Sequence, residues 1–337
     1  MPSWGDILKE FAQSREERGP DGPDCDGIRD KYIARLREHT NRAVIVYASR
    51  WLHGTARSMR MGVEGDDVHG LMEVCYQVSE RQLDLVLHSP GGSIEAAEQM
   101  LNYLRTEFDY IRAFIPLQAK SAATMIALGC DEIVLGDHSE LGPIDPQILV
   151  PAGDVERFAP AIAILRDFYR AQDECADDVN RLLAWSPILR SYACGLIEFC
   201  WQQVELSLDV VTGWLEKYML AHEDMNIEEG ERHRKARGIA EYFGSEESYD
   251  TFRAHGRPIR IEDLRGQGLR VRALEDDSEL QDIVLSIYHA TDITWNNTTA
   301  VKLIENHLGR RKVRIESPIQ LQGQLIPVQP GNISPSQ

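Results

Sequence analysis

Two short strand-to-helix turns hold the residue types suited to acyl transfer: Ser89-Pro-Gly-Gly-Ser93 and Gln118-Ala-Lys-Ser121-Ala-Ala-Thr-Met125. A glycine pair after a strand lets backbone amides approach a ligand with no Cβ in the way, because glycine reaches conformations closed to other residues. Such amides supply half of a site for a negatively charged oxygen. A serine that opens the next helix sits where unpaired N–H groups and the helix dipole favour developing negative charge. That placement suits a tetrahedral intermediate, whose oxygen needs donors fixed beforehand. Each turn also has a plainer reading: Gly-Gly is common after strands, and serine is a preferred N-cap whatever the function.

The elements around these turns follow an α/β alternation. Residues 43–48 (AVIVYA) and 83–88 (LDLVLH) are short β-branched or aliphatic runs with few polar interruptions, the pattern of strands covered on both faces. Between them 67–80 has helical spacing at Val68, Leu71, Met72 and Val78, which carries the chain across one sheet face and implies parallel pairing. A helix over 93–107, a strand over 111–116, a helix over 121–129 and a strand over 132–136 continue the alternation, the signature of right-handed crossovers. Upstream, a short N-terminal helix and a second helix over 28–38 flank a Gly- and Pro-rich loop. From 155 to about 220 long helical segments predict an arm, broken at Pro187 and Gly195. Residues 257–271 return to α/β character, 279–290 and 298–308 are predicted as closing helices, and the tail from 317, with its prolines and little charge, reads as extended. The expected domains are 1–41, a helical extension; 42–150, a core carrying the serine turn; 151–230, a helical arm suited to oligomerisation; 231–316, the rest of the core; and 317–337, a flexible tail.

Composition narrows the function. A formal charge of -18 over 337 residues argues against nucleic acid as the main partner, since phosphate binding draws on clustered Lys and Arg. The first residues carry Asp6, Lys9 and Glu10 and no apolar segment, so they read as neither secretory signal nor anchor. No stretch approaches the roughly 20 apolar residues of a membrane span, and a cytoplasmic location is expected. The six cysteines are scattered without a Cys-x-x-Cys pair, which argues against a disulfide framework and a structural zinc. Neither a metal nor an organic cofactor is required by the chemistry suggested here.

The segments LDLVLHSPGGSIEAAEQMLNYLR and IPLQAKSAATMIALGCDEIVLGDHSELGPIDPQ resemble the serine dehydrogenase proteinase family, of the superfamily that includes signal peptide peptidase A and the proteolytic subunit of Clp. The resemblance extends from about residue 42 to 308 through WSPIL, HGRPI and ELQDIVLSIYH. It implies an α/β Clp/crotonase-like core of repeated β-β-α units with a helical arm, and a serine peptidase acting on peptide or protein substrates as a homo-oligomer. Carried over by position, Ser121 is the nucleophile, Gly92 and Ala122 supply the oxyanion amides, and Gly91 with Gly92 presents an edge to an extended peptide.

A serine hydroxyl needs a base beside it. By register with the Clp subunit, Asp145 falls where that enzyme keeps its histidine and His255 near its aspartate, so His255 is the expected base and Asp145 its orienting partner. Each has a plainer role, as an Asp-Pro turn former and a loop histidine. His138 is the second candidate, against a backbone-bonded loop histidine. Lys217 is the third, against a solvated charge at a helix end. Lys120, on the same turn as the serine, is a poor base. A non-catalytic peptide-binding or assembly module is the alternative function, motivated by Lys120, Ala123 and the absence of lysine between Lys120 and Lys217. A crotonase-like acyl-coenzyme A enzyme is less favoured, because its chemistry uses no serine nucleophile.

Overall fold

The computed structural model describes residues 3–53, 61–152 and 155–315. Its centre is a seven-stranded mixed sheet in the order β11-β10-β1-β2-β3-β5-β9. The strands β1 (Ala43–Ser49), β2 (Gln82–His88), β3 (Tyr110–Ile115), β5 (Glu132–Leu135) and β9 (Val271–Ala273) run parallel. β10 (Ala300–Asn306) and β11 (Arg311–Ile315) extend the sheet antiparallel on the other side of β1. Two minor ladders complete the strands: β4 (Gln118–Ala119) with β6 (Glu140–Leu141), and the hairpin β7 (Gln147–Ala152) with β8 (Val155–Pro160).

Every residue of β1 is buried because the sheet is covered on both faces. Ala43, Ile45 and Tyr47 point into one core, with α3 (Asp67–Cys75), α4 (Ile94–Glu107), α5 (Ala122–Leu128), the end of α8 (Leu196–Lys217) and α9 (Glu229–Gly244). Val44, Val46 and Ala48 point into the other, with α1 (Trp4–Arg18), α2 (Cys25–Thr40) and α12 (Ser278–Asn297). This is the period of two expected of a strand, hidden in the sequence because both faces are apolar. In α4 the buried stripe Ile94, Ala97, Leu101 and Leu104 has the spacing that lays one helix face on a sheet.

The arm consists of β7, β8, α6 (Ala161–Asp177), α7 (Leu182–Leu189) and the first half of α8 around a small cluster of Ile148, Ile164, Leu165 and Cys200. Gly195 caps α8 with φ 80°, a break expected from sequence, whereas Pro187, also expected as a break, lies inside α7, which runs on to Leu189. Short helices α10 (Glu246–Phe252) and α11 (Ile261–Gly266) return the chain to the sheet.

Three sequence expectations are corrected. Residues 298–308 form strand β10, not a closing helix, with Ile45 opposite Asn306 and Ser49 opposite Lys302. All seven residues of β10 are buried, so the run shows no in-out alternation, and adjacent Leu303 and Ile304 imitate helical spacing. Residues 155–160 are strand β8, not the start of the helical arm, because their backbone pairs with β7. The predicted 67–80 helix stops at Cys75. The tail expected from 317 lies outside the described residues. All six cysteines are free.

Candidate functional site

The two turns lie against each other. Just beyond the end of β2, Ser89 pairs in parallel with Ala119 of β4, Ser89 N donating to Gln118 O at 3.2 Å and Lys120 N to Ser89 O at 3.0 Å. The glycine turn then folds onto the serine turn so closely that a Cβ on Gly91 would stand 2.5 Å from the Ser121 Cβ and 2.8 Å from the Ala122 nitrogen. Gly91, at φ 90°, therefore meets two independent demands for glycine.

Ser121 sits at φ 51° and ψ -124°, a conformation that an L-residue adopts only under constraint, at about 1–3 kcal/mol. Its hydroxyl does not cap α5 and has no hydrogen-bond partner among the described residues. The strain places a half-buried serine on a sharp strand-to-helix turn, its Oγ uncommitted among the described residues. The turn is braced from within: Thr124 Oγ1 donates to Ala119 O at 2.8 Å and accepts from Gly142 N at 3.0 Å.

Two amides near Ser121 are free to donate. Neither Gly92 N nor Ala122 N has an acceptor among the described residues. The orientation of Gly92 N is set from behind, because Val63 N donates to Gly91 O at 2.7 Å and Ser93 N to Val63 O at 3.0 Å. In a trans peptide the N–H points opposite to the carbonyl, so a Gly91 carbonyl turned to Val63 turns the Gly92 N–H away from it. Gly92 is exposed on that open side.

The structure brings Asp145 and His255 together and explains how. Leu141 and Ile259 form an antiparallel bridge, each N donating to the other's O at 2.9 and 3.1 Å. Continuing that register four residues further on one segment and four back on the other sets Asp145 opposite His255. His255 Nδ1 lies 2.7 Å from Asp145 Oδ1, while Gln147 Nε2 donates to Asp145 Oδ2 at 2.7 Å. Asp145 is buried and His255 partly exposed. With Nδ1–H donating to the carboxylate, the free Nε2 carries the lone pair.

The same bridge ties this pair to the serine turn through Lys120. Its buried Nζ reaches Glu140 Oε1 at 2.7 Å and Leu141 O at 2.9 Å, and burial pulls its pKa down despite the Glu140 carboxylate. The other basic candidates have different surroundings. His138 Nε2 lies 3.1 Å from Pro116 O, a bond to backbone. Lys217 is exposed at the end of α8, its Nζ 5.1 Å from the Tyr218 ring centre. Three residues earlier Trp214 packs on Gly129, which caps the end of α5 opposite Ser121.

Sequence reasoning passed over the residues behind the glycine turn, Val63, Asp67 and Lys302. The one signal available was a lysine inside an apolar run, AVKLIEN. Among the described residues no group of three or more His, Cys, Asp or Glu side chains is placed to hold a metal ion. Among them, too, no helix is long and apolar enough to cross a membrane.

Residues 63–186, which contain both turns and Asp145, match the model for ClpP-like SDH-type serine proteinases. Over those residues the chain is similar to that family. The mixed sheet with helices on both faces is an α/β fold with a helical arm, and the matched segment supplies its ClpP-like part. Two uncharacterized proteins of Methanocaldococcus jannaschii are similar, one 33% identical over 105 residues and the other 35% over 96. These matches cover 31% and 28% of this chain and 34% and 30% of the relatives, so the chain spans about a third of the length of those proteins. Among solved structures, a mutant of the 1510-N membrane-bound stomatin-specific protease has a TM-score of 0.36 at 13% identity, covering 66% of this chain and 79% of that one. A second mutant of the same protease, in complex with a substrate peptide, has a TM-score of 0.35 at 14% identity, covering 65% and 74%.

Proposed function

We propose that this chain is an SDH-type serine proteinase that hydrolyses peptide bonds through an acyl-enzyme on Ser121. His255 Nε2 takes the hydroxyl proton as Oγ bonds to the scissile carbonyl carbon, and the carbonyl π pair moves to oxygen, held by the Gly92 and Ala122 amides. The tetrahedral intermediate collapses as the amine leaves with the proton from His255. Water then repeats the sequence on the acyl group, returning the proton to Ser121. Asp145 holds the ring tautomer and steadies the imidazolium. The observation that carries this reading is the packing of Gly91 on Ser121, which gathers a strained, uncommitted hydroxyl and two unpaired amides at one place.

The test is covalent labelling of the intact protein by a fluorophosphonate, lost in Ser121→Ala. A folded parent protein that resists labelling sinks the reading. One observation favours a non-catalytic peptide-binding module instead: Ser121 Oγ makes no hydrogen bond to His255. That alternative predicts peptide binding retained in Ser121→Ala with no cleavage by the parent, although catalytic hydrogen bonds often tighten only when substrate is bound. Exposed Leu183, Phe199 and Trp201 on the arm support assembly with further copies of the chain, which light scattering at micromolar concentration tests.

A further inference from the structure

The buried side chain of Lys302 is 239 residues beyond Val63 in sequence yet stands directly behind it. Its Nζ lies 2.8 and 2.9 Å from the two oxygens of Asp67 and also donates to Gly62 O. Asp67, equally buried, accepts from Glu64 N at 2.9 Å and from Tyr47 Oη at 2.7 Å. Arg314, on β11, pairs with Glu64 and reaches Asp67 at 3.4 Å. The short segment 62–64 is thus held by its first carbonyl, its last amide and its last side chain. Its middle residue, Val63, is left to engage the glycine turn with both backbone groups.

We propose that Lys302 is a positioning residue for the Gly92 oxyanion donor: with Asp67 it fixes the 62–64 strap, whose Val63 N–H holds the Gly91 carbonyl and so turns the Gly92 N–H toward the site. This rests on the peptidase reading above and adds a control on it from the far end of the chain. A Gly-Gly turn has little conformational preference of its own, so its peptide planes point where their partners place them. An ion pair buried this fully is no more stabilising than a well-packed apolar pair of the same volume. What it adds is direction, since its donors and acceptors accept only one placement of the strap. Gly92 itself reports how tight that placement is: a Cβ there would meet Val63 O at 2.3 Å and Val63 N at 2.4 Å.

The test uses the full chain and two variants, Lys302→Met and the double variant Lys302→Met with Asp67→Asn, which removes the unpaired charge while keeping an oxygen to accept from Tyr47 Oη and Glu64 N. Leu303→Ala, on the same strand but in the opposite core, controls for a general loss of stability. Amide hydrogen exchange is read at Val63 and Ser93, the two strap bonds, and fluorophosphonate labelling at Ser121. Exchange at these two amides is expected to quicken at least ~10-fold in the Lys302 variants beyond any change in Leu303→Ala, as local opening replaces a held turn. Labelling is expected to slow by about 10–100-fold, approaching the loss of one oxyanion donor. Unchanged strap exchange in a folded Lys302 variant overturns the proposal. So does accelerated exchange with an unchanged labelling rate. A parent protein that never labels overturns the peptidase reading instead, while the exchange arm still decides whether Lys302 holds the turn.

Discussion

Asp145 Oδ1 and His255 Nδ1, 110 residues apart in the chain, meet at 2.7 Å because a single antiparallel bridge between Leu141 and Ile259 sets the register of both segments. The carboxylate is buried and its other oxygen is engaged by Gln147, so it has one direction left in which to hold the ring. Asp145→Asn keeps the shape but presents an amide that favours the wrong tautomer. A fall in kcat of about 10²–10⁴ is expected, with KM changed little, measured on a peptide substrate cleaved by the parent. His255→Ala should fall as far, and the double variant no further, since the two act as a unit.

Gly91→Ala should damage both fold and site. The added methyl meets the Lys120 carbonyl at 2.4 Å and the Ser121 Cβ at 2.5 Å, backbone and near-backbone atoms that cannot swing aside, and alanine resists φ 90°. A destabilisation of about 2–4 kcal/mol is expected from overpacking and the unfavourable φ together. The urea midpoint should drop while the m-value is preserved, and fluorophosphonate labelling should be lost even below the new midpoint. A variant as stable and as reactive as the parent would mean that the turns do not pack as described.

The buried pair of Arg29 on α2 and Glu305 on β10 joins one helical layer to the sheet, with Nε–Oε1 at 2.7 Å and Nη2–Oε2 at 3.0 Å. Both side chains are fully buried, so Glu305→Gln leaves the guanidinium with only the largely exposed Asp26 carboxylate, 2.7 Å from Nη2, as counter-charge. A loss of about 3–5 kcal/mol in unfolding free energy is expected, read by denaturant melts. A loss below ~1 kcal/mol would show that the pair is solvated in solution.

His88 ends β2 one residue before the glycine turn begins, packed among Trp51, Tyr288 and Trp295. Burial pushes its pKa down to about 4, with a small contribution from nearby His53, and neither ring nitrogen has a hydrogen-bond partner among the described residues. Between pH 6.5 and about 4 the unfolded chain binds the proton that the folded chain refuses, so stability rises with pH across that window. The contribution is complete above the unfolded pKa and is lost progressively as pH falls toward the folded one, about 3 kcal/mol in all. Replacing the ring by His88→Gln should flatten the stability profile between pH 4 and 6.5 by that amount. Denaturant melts across the window check it, and an identical slope in the variant sinks the assignment.

The chain's local chemistry was legible without coordinates. The runs 43–48 and 83–88 read as strands covered on both faces, and Ser89-Pro-Gly-Gly and Lys120-Ser121-Ala as strand-to-helix turns, because β-branching and glycine freedom act within a few residues. What local pattern could not supply was which backbones pair. Strand β10 hid because its two buried faces mix apolar residues with Lys302, Glu305 and Asn306, so no alternation shows, and the ladder of 147–152 with 155–160 depends on a partner segment for its hydrogen bonds. The site divides in the same way. Residue types at Ser121, Gly91 and Gly92 follow from sequence, whereas the strained φ of Ser121, the meeting of Asp145 with His255 and the strap held by Lys302 are products of register. Contacts between residues a hundred or more positions apart are decided by the packing of whole layers, and no run of side chains along the chain encodes them one by one.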